Sequence, residues 1–153
     1  MLLSDVTLLV YANREDSPRH DEYRQWLEQR LDGIEPFGVS EYALGAFVRI
    51  ATNASIYEEP TPMSEAVDFC EAVLGAPAAV PIRPGARHWP LFTDLCLRAE
   101  ASGNLAPDAY LAALALEHGA TLVAADRGFP RYPGLRMEHP LESECRLGTA
   151  ADG

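Results

Sequence analysis

LLSDVTLLVY, residues 2–11, is the stretch on which the reading of this chain turns. Ten residues rich in Leu and Val, with no polar alternation, have the length and composition of a central parallel strand covered on both faces. One residue sits awkwardly in it. Asp5 is flanked by Leu2, Leu3, Val6, Leu8 and Leu9, and burying an ionised carboxylate among them costs several kcal/mol unless a cation or hydrogen-bond donors meet it. The stretch therefore predicts both a core strand and a functional carboxylate.

Working outward, Ser17-Pro18 supplies a helix cap and a first-turn proline, and an amphipathic segment runs to Leu31 with Tyr23, Trp26, Leu27 and Leu31 on one face. FGV at 37–39 predicts a second strand. Ser40 then caps a helix from Glu41 to about Ala51, with Ala43, Leu44, Phe47 and Ile50 inward. Residues 52–62, with Pro60 and Pro62, read as a loop before a helix over 64–74 that Gly75 ends. AVPI at 79–82 is a short strand, and its proline places it at an edge or an end. A helix follows from about Trp89 to Ala101, and a break at Gly103-Asn104. Pro107 opens the helix PDAYLAALALEH, which Gly119 closes. TLVAA at 121–125 and LRME at 135–138 are the remaining strands. Helices alternating with short apolar strands predict an α/β three-layer sandwich, a central mainly parallel sheet flanked by helices. A single domain over 1–142 and a flexible tail over 143–153 are expected.

The chain has 153 residues and is 48% apolar, enough for a core without disulfides or a structural metal. No apolar run approaches the length of about 18 residues needed to span a bilayer, and the opening segment lacks a basic n-region, so a cytoplasmic location without membrane association is expected. Cys70, Cys96 and Cys145 are odd in number and far apart, which argues against a disulfide framework or a zinc knuckle. All 12 basic residues are arginine. Without lysine a P-loop is excluded, because that motif places a lysine on the phosphates. The net charge of -11 opposes a phosphate backbone; clustered arginines, cations held by the acids, or a basic partner would each answer it.

In an α/β sheet the ligand crevice forms outside the carboxyl ends of the strands, where helices begin. Four acids fall at such places: Asp5, Glu41 at the start of the second helix, Asp108 one residue after Pro107, and Asp126 after TLVAA. Singly, Glu41 and Asp108 also suit the positive ends of helices, and Asp126 before Arg127-Gly128 suits a turn. Jointly they would repel one another unless a hard cation neutralised them, and carboxylate oxygens suit Mg²⁺ or Mn²⁺. Such a cation would polarise a scissile phosphate and acidify an attacking water, with any second ion about 4 Å away.

These residues also carry a resemblance. Asp5 to Ala12, Ser40-Glu41, Pro107 to Ala115, Asp126-Arg127-Gly128-Phe129 and Tyr132-Pro133-Gly134-Leu135, in that order, resemble VapC toxins of the PIN-domain superfamily over residues 2–141. The resemblance implies an Mg²⁺- or Mn²⁺-dependent endoribonuclease acting on RNA, tRNA or rRNA above all. It further implies neutralisation by a VapB-type antitoxin, with homodimers and toxin–antitoxin hetero-oligomers. Asp5, Asp108 and Asp126 match its metal-binding acids, with Glu41 completing the catalytic quartet, and Thr7 stands where a polar residue supports the first aspartate. Gly128 departs from it, because many relatives carry another aspartate there; one firmly bound ion is expected.

Arg127 and Arg131 follow the fourth acid and are expected to contact the RNA backbone. Tyr23, Trp26 and Trp89 suit base stacking but also a core or interface. The four histidines share no metal-ligand spacing; His20, His88 and His139 read as surface or capping residues, and His118 suits a helix C-terminus. Two other functions use the same features: a metal-dependent hydrolase of small phosphate esters, and a non-catalytic PIN-fold RNA-binding module. Retention of all four acids favours the nuclease.

Overall fold

The computed structural model describes residues 1–99 and 105–142; the expected break at Gly103-Asn104 and the expected tail from Ser143 lie outside them. The elements run β1 (Leu2–Ser4), α1 (Val6–Asn13), α2 (His20–Leu31), β2 (Phe37–Ser40), α3 (Glu41–Ala51), α4 (Met63–Leu74), β3 (Ala79–Ile82), α5 (His88–Arg98), α6 (Ala106–His118), β4 (Thr121–Val123) and β5 (Met137–Glu138). The strands form one sheet in the order β3-β2-β1-β4-β5, and every pairing is parallel.

The opening stretch corrects the first expectation. Residues 2–11 are not one strand: β1 ends at Ser4, and Val6–Asn13 is a helix. Asp5 causes the change of direction. Its Oδ1 accepts the Leu8 N–H at 2.9 Å, so the carboxylate satisfies one of the donors that a helix start leaves orphaned. An unbroken apolar run of this length is ambiguous, since a buried helix and a buried strand are both apolar all round. Leu8, Leu9, Val10 and Ala12 are all buried. The Ser17 cap is corrected too. α2 starts at His20, and Arg19 precedes it in the left-handed region at φ 54°. The turn before it is held by Arg14, whose carbonyl accepts the Ser17 N–H at 3.1 Å.

Other signals act where the sequence places them. Ser40 Oγ accepts the Ala43 N–H at 3.4 Å and caps α3. Pro107 sits in the first turn of α6, and Gly119 ends that helix at φ 63°, a conformation that favours glycine. β3 is an edge strand, as its proline requires. Alternate residues of the strands face two cores. Leu2, Phe37, Val39 and Val123 pack with residues of α1 to α4, whereas Leu3, Ile82, Leu122 and Ala124 pack with α5 and α6. Gly38 belongs to the second face: a Cβ there would lie 2.2 Å from Ile82 Cδ1, so its hydrogen lets the Ile82 side chain fold across the sheet. The result is three layers with the sheet in the middle.

Chain order reverses beside β1. β1, β2 and β3 step one way, and the chain then returns to place β4 on the other side of β1. Crossovers leave β1 and β4 in opposite directions, which opens a crevice at their carboxyl ends.

Candidate active site

Each strand delivers a polar residue to that edge of the sheet. β1 is followed directly by Asp5, β2 by Glu41, β3 by Arg83 and β5 by His139, while β4 continues through Ala124 and Ala125 to Asp126. Asp5 and Asp126 thus flank the switch point itself. Asp108 joins them from the first turn of α6.

Asp5 is 2% exposed. Its backbone N–H donates to the Val123 carbonyl at 3.0 Å, which ties the end of β1 to β4. Burial pushes its carboxyl up from the ordinary 3.8 to about 7; the Leu8, Ala125 and Asp126 amides pull the other way, and the Asp126 charge adds to the rise. Asp108 is half-buried, and burial followed by repulsion from Asp126 raises its carboxyl to about 6. Asp126 is therefore the shared electrostatic neighbour of the other two. Its own Oδ1 accepts the Gly128 N–H at 2.8 Å in a tight turn, and a Cβ at Gly128 would lie 3.1 Å from that oxygen.

The fourth acid behaves differently. Glu41 is exposed and forms an ion pair with Arg83 at 3.0 Å. Neighbouring rings bring its helix close to the others: Tyr42 stacks on Tyr110 with centroids 4.1 Å apart, so the first turn of α3 adjoins the N-terminal half of α6. Thr7 lies part-exposed in the first turn of α1; among the described residues the Asp5 side-chain bond comes from Leu8, not from Thr7.

Arg127 is engaged in an ion pair with Glu142, and Arg131 is exposed on the wall of a cleft of about 430 Å³. Asp126 and His139 line that same cleft. His139 has more structure around it than a surface histidine would. Its Nδ1 accepts the Leu141 N–H at 3.3 Å, its Nε2 lies 3.4 Å from Tyr23 Oη, and burial holds its pKa below the ordinary value. Its spacing gave no sign of this, because β5 is only two residues long and places the histidine at the sheet edge by pairing with β4. Tyr23 and Trp26 are buried core residues; Trp89 is 69% exposed. His20 and His88 are likewise buried, each bonded to a carbonyl, Tyr11 at 2.8 Å and Tyr110 at 3.0 Å. His118 is the last residue of α6.

Oxygen donors of this kind suit a hard divalent cation. Among the described residues no three His, Cys, Asp or Glu side chains stand close enough to form a ready cation cage. The fit is of another sort: Mg²⁺ is usually held by one or two carboxylates and otherwise by water and substrate phosphate. Asp5, buried and with its ionisation disfavoured, shares the neighbouring Asp126 carboxylate with Asp108, and positive charge would relieve that repulsion.

Comparison with other proteins places this five-stranded parallel sheet in a known family. The PIN domain family model matches residues 2–135. The chain belongs to the PIN-domain family. Within it the similarity runs to the VapC group. The chain is 45% identical over 147 residues to VapC ribonuclease Mb2897 of Mycobacterium bovis, covering 96% of this chain and 100% of that protein. Ribonuclease VapC31 of Mycobacterium tuberculosis is 42% identical over 140 residues, 92% of this chain and 99% of the relative. Among solved structures, VapBC2 from Rickettsia felis bound to a promoter DNA fragment superposes with TM-score 0.64 at 21% identity, over 90% of this chain and 96% of that one. FitAcB from Neisseria gonorrhoeae superposes with TM-score 0.58 at 16% identity, over 92% and 99%. These likenesses of structure show the PIN fold. Among the described residues no helix is long and apolar enough to cross a membrane.

Proposed function

We propose that this PIN-domain protein is a VapC-type toxin, an endoribonuclease that requires Mg²⁺ or Mn²⁺ and cuts RNA, tRNA or rRNA above all. The observation that carries the reading is the pairing of buried Asp5 with Asp126 at the switch point, Asp108 facing the same charge. Support comes from the relatives named ribonucleases at 42–45% identity. Asp5, Asp108 and Asp126 would hold the cation, some of them through water, and when bound it supplies positive charge at the phosphate and acidifies water. Glu41 completes the acidic set, and its exposed ion pair with Arg83 lies on the rim where β2 and β3 end. Hydrolysis forms a bond from water oxygen to phosphorus and breaks the bond to one ribose oxygen. The water proton passes to a carboxylate, and the leaving oxygen takes a proton from solvent. Arg131 suits a backbone phosphate; Arg127 would have to exchange Glu142 for one.

A single nuclease domain over 1–142 is part of this reading, as is a cytoplasmic bacterial setting. So is a VapB-type antitoxin that covers the pocket of a homodimeric toxin within a hetero-oligomer, in keeping with the VapBC and FitAcB complexes of the same fold. A basic partner would complement the net charge of -11. The test is cleavage of total bacterial RNA by antitoxin-free protein in Mg²⁺, Mn²⁺ or EDTA, beside folded Asp5→Asn and Asp108→Asn variants. Cuts lost in EDTA and in both variants support the nuclease. RNA left intact in every metal would point instead to a binding module.

A further inference from the structure

Beside Asp126, on the β5 side, the cleft of about 430 Å³ has a composition that metal binding does not explain. Its volume falls within the range of about 300–1,000 Å³ typical of small-molecule sites. Ala124 and Phe129, both buried, give it an apolar floor, with part-exposed Met137 beside them. Arg131 stands on one wall, and among the described residues no carboxylate pairs with it, whereas Arg127 is taken by Glu142. Glu138 and His139 bring polar groups from the end of β5. An apolar surface, a guanidinium and a carboxylate acceptor converge in a cleft that Asp126 itself lines.

We propose that this cleft seats one nucleotide of the RNA next to the cleaved bond, with its phosphate on Arg131 and its base against Ala124, Phe129 and Met137. Glu138 accepts from the base's exocyclic amino group, so adenine, cytosine and guanine are favoured over uracil, which has none. The inference rests on the ribonuclease reading for its biological use, but not for its detection. A guanidinium–phosphate pair is planar and bidentate; the carboxylate supplies the discrimination, because a uracil carbonyl opposite it leaves two acceptors face to face.

Metal-free protein labelled at Ala and Met methyls would be titrated by NMR with AMP, CMP, GMP and UMP, and with ribose 5-phosphate as the baseless control. Shifts centred on Met137 and Ala124, several-fold tighter for CMP than for UMP, are expected. Arg131→Ala weakens all four nucleotides by about tenfold, and Glu138→Gln closes the gap between CMP and UMP; both side chains are exposed, so neither change threatens the fold. Shifts centred elsewhere, their absence at millimolar nucleotide, or a response identical in the variants would overturn the proposal. So would an arginine amide that moves the same methyls more than any nucleotide does, assigning the cleft to a protein partner. Metal-dependent RNA cleavage beside an empty cleft removes the subsite alone. Nucleotides bound there with no RNA cut remove the ribonuclease reading and leave the site standing.

Discussion

Replacing Asp5 by Asn should make the metal-free protein more stable, and increasingly so as pH rises. Asp5 is buried, and desolvation is the chief reason its carboxyl is pushed from 3.8 to about 7. A folded-state pKa above the unfolded one means the native state holds the proton more tightly. Stability is then greatest at low pH, falls as pH rises from about 4, and levels off above about 7. At roughly 1.36 kcal/mol per pKa unit, the span from 3.8 to about 7 corresponds to about 4 kcal/mol lost by pH 8. Asn keeps one oxygen to accept the Leu8 N–H, which in the native protein reaches Oδ1 at 2.9 Å, so the helix cap survives while the charge goes; its NH2 in place of the second oxygen loses the favourable Ala125 and Asp126 amides, a cost that is the same at every pH. Urea denaturation of both proteins in EDTA, from pH 5 to pH 8, should show the variant's advantage growing by about 3 kcal/mol. Mg²⁺ should raise the stability of the native protein far more than that of the variant. A difference between variant and parent that does not move in the variant's favour as pH rises would refute the assignment of Asp5 as a carboxylate held under desolvation strain.

Asp108→Asn should lower RNA cleavage by about 100-fold or more, at least the cost seen when a metal's supporting partners are removed, and cleavage gels read it directly. In the native enzyme, protonation of Asp108 near pH 6 and of Asp5 near pH 7 removes negative donors, so the apparent affinity for Mn²⁺, followed by titration calorimetry, should weaken as pH falls through this window. Gly38→Ala would drive a methyl to 2.2 Å from Ile82 Cδ1 and 3.0 Å from the Leu2 carbonyl oxygen; a loss of about 1–3 kcal/mol in urea denaturation is expected from overpacking. Arg14 clamps the 52–62 loop by donating to the Glu59 carbonyl at 3.0 Å and Thr61 Oγ1 at 3.1 Å, with its guanidinium 3.5 Å from the centre of the Tyr57 ring. Arg14→Met should leave RNA cleavage in place but open that loop to limited proteolysis, read as faster cutting within residues 52–62.

Signals that act over a few residues are legible in the sequence itself. Ser40 capping α3, Pro107 and Gly119 bounding α6, and Pro81 confining β3 to the sheet edge each follow from backbone geometry or a missing donor, which neighbours along the chain already determine. The same holds for Asp5 as the residue least at home in its surroundings. What the stretch around it forms is not legible there. An apolar run is compatible with strand or helix when both faces are covered, and the break at Asp5 depends on the Leu8 amide and on β4 accepting only a short partner.

Between the acids, sequence position fixes which end of an element each one occupies, and so predicts their gathering at one edge of the sheet. Distance and competition among side chains are properties of the packed molecule. Glu41 turns to Arg83, 42 residues away, and Arg127 to Glu142, choices that no local pattern encodes. His139 enters the cleft only because two residues of β5 pair with β4. The sequence by itself determined the layers, the family resemblance and the chemistry of the donors, since these depend on periodicity and residue type. Only the tertiary structure decided that Asp5 is buried, that Arg127 rather than Arg131 is taken by a carboxylate, and where the cleft beside Asp126 opens. Desolvation and ion pairing are set by neighbours in space, and the crossover at β1 brings those neighbours together from opposite ends of the chain.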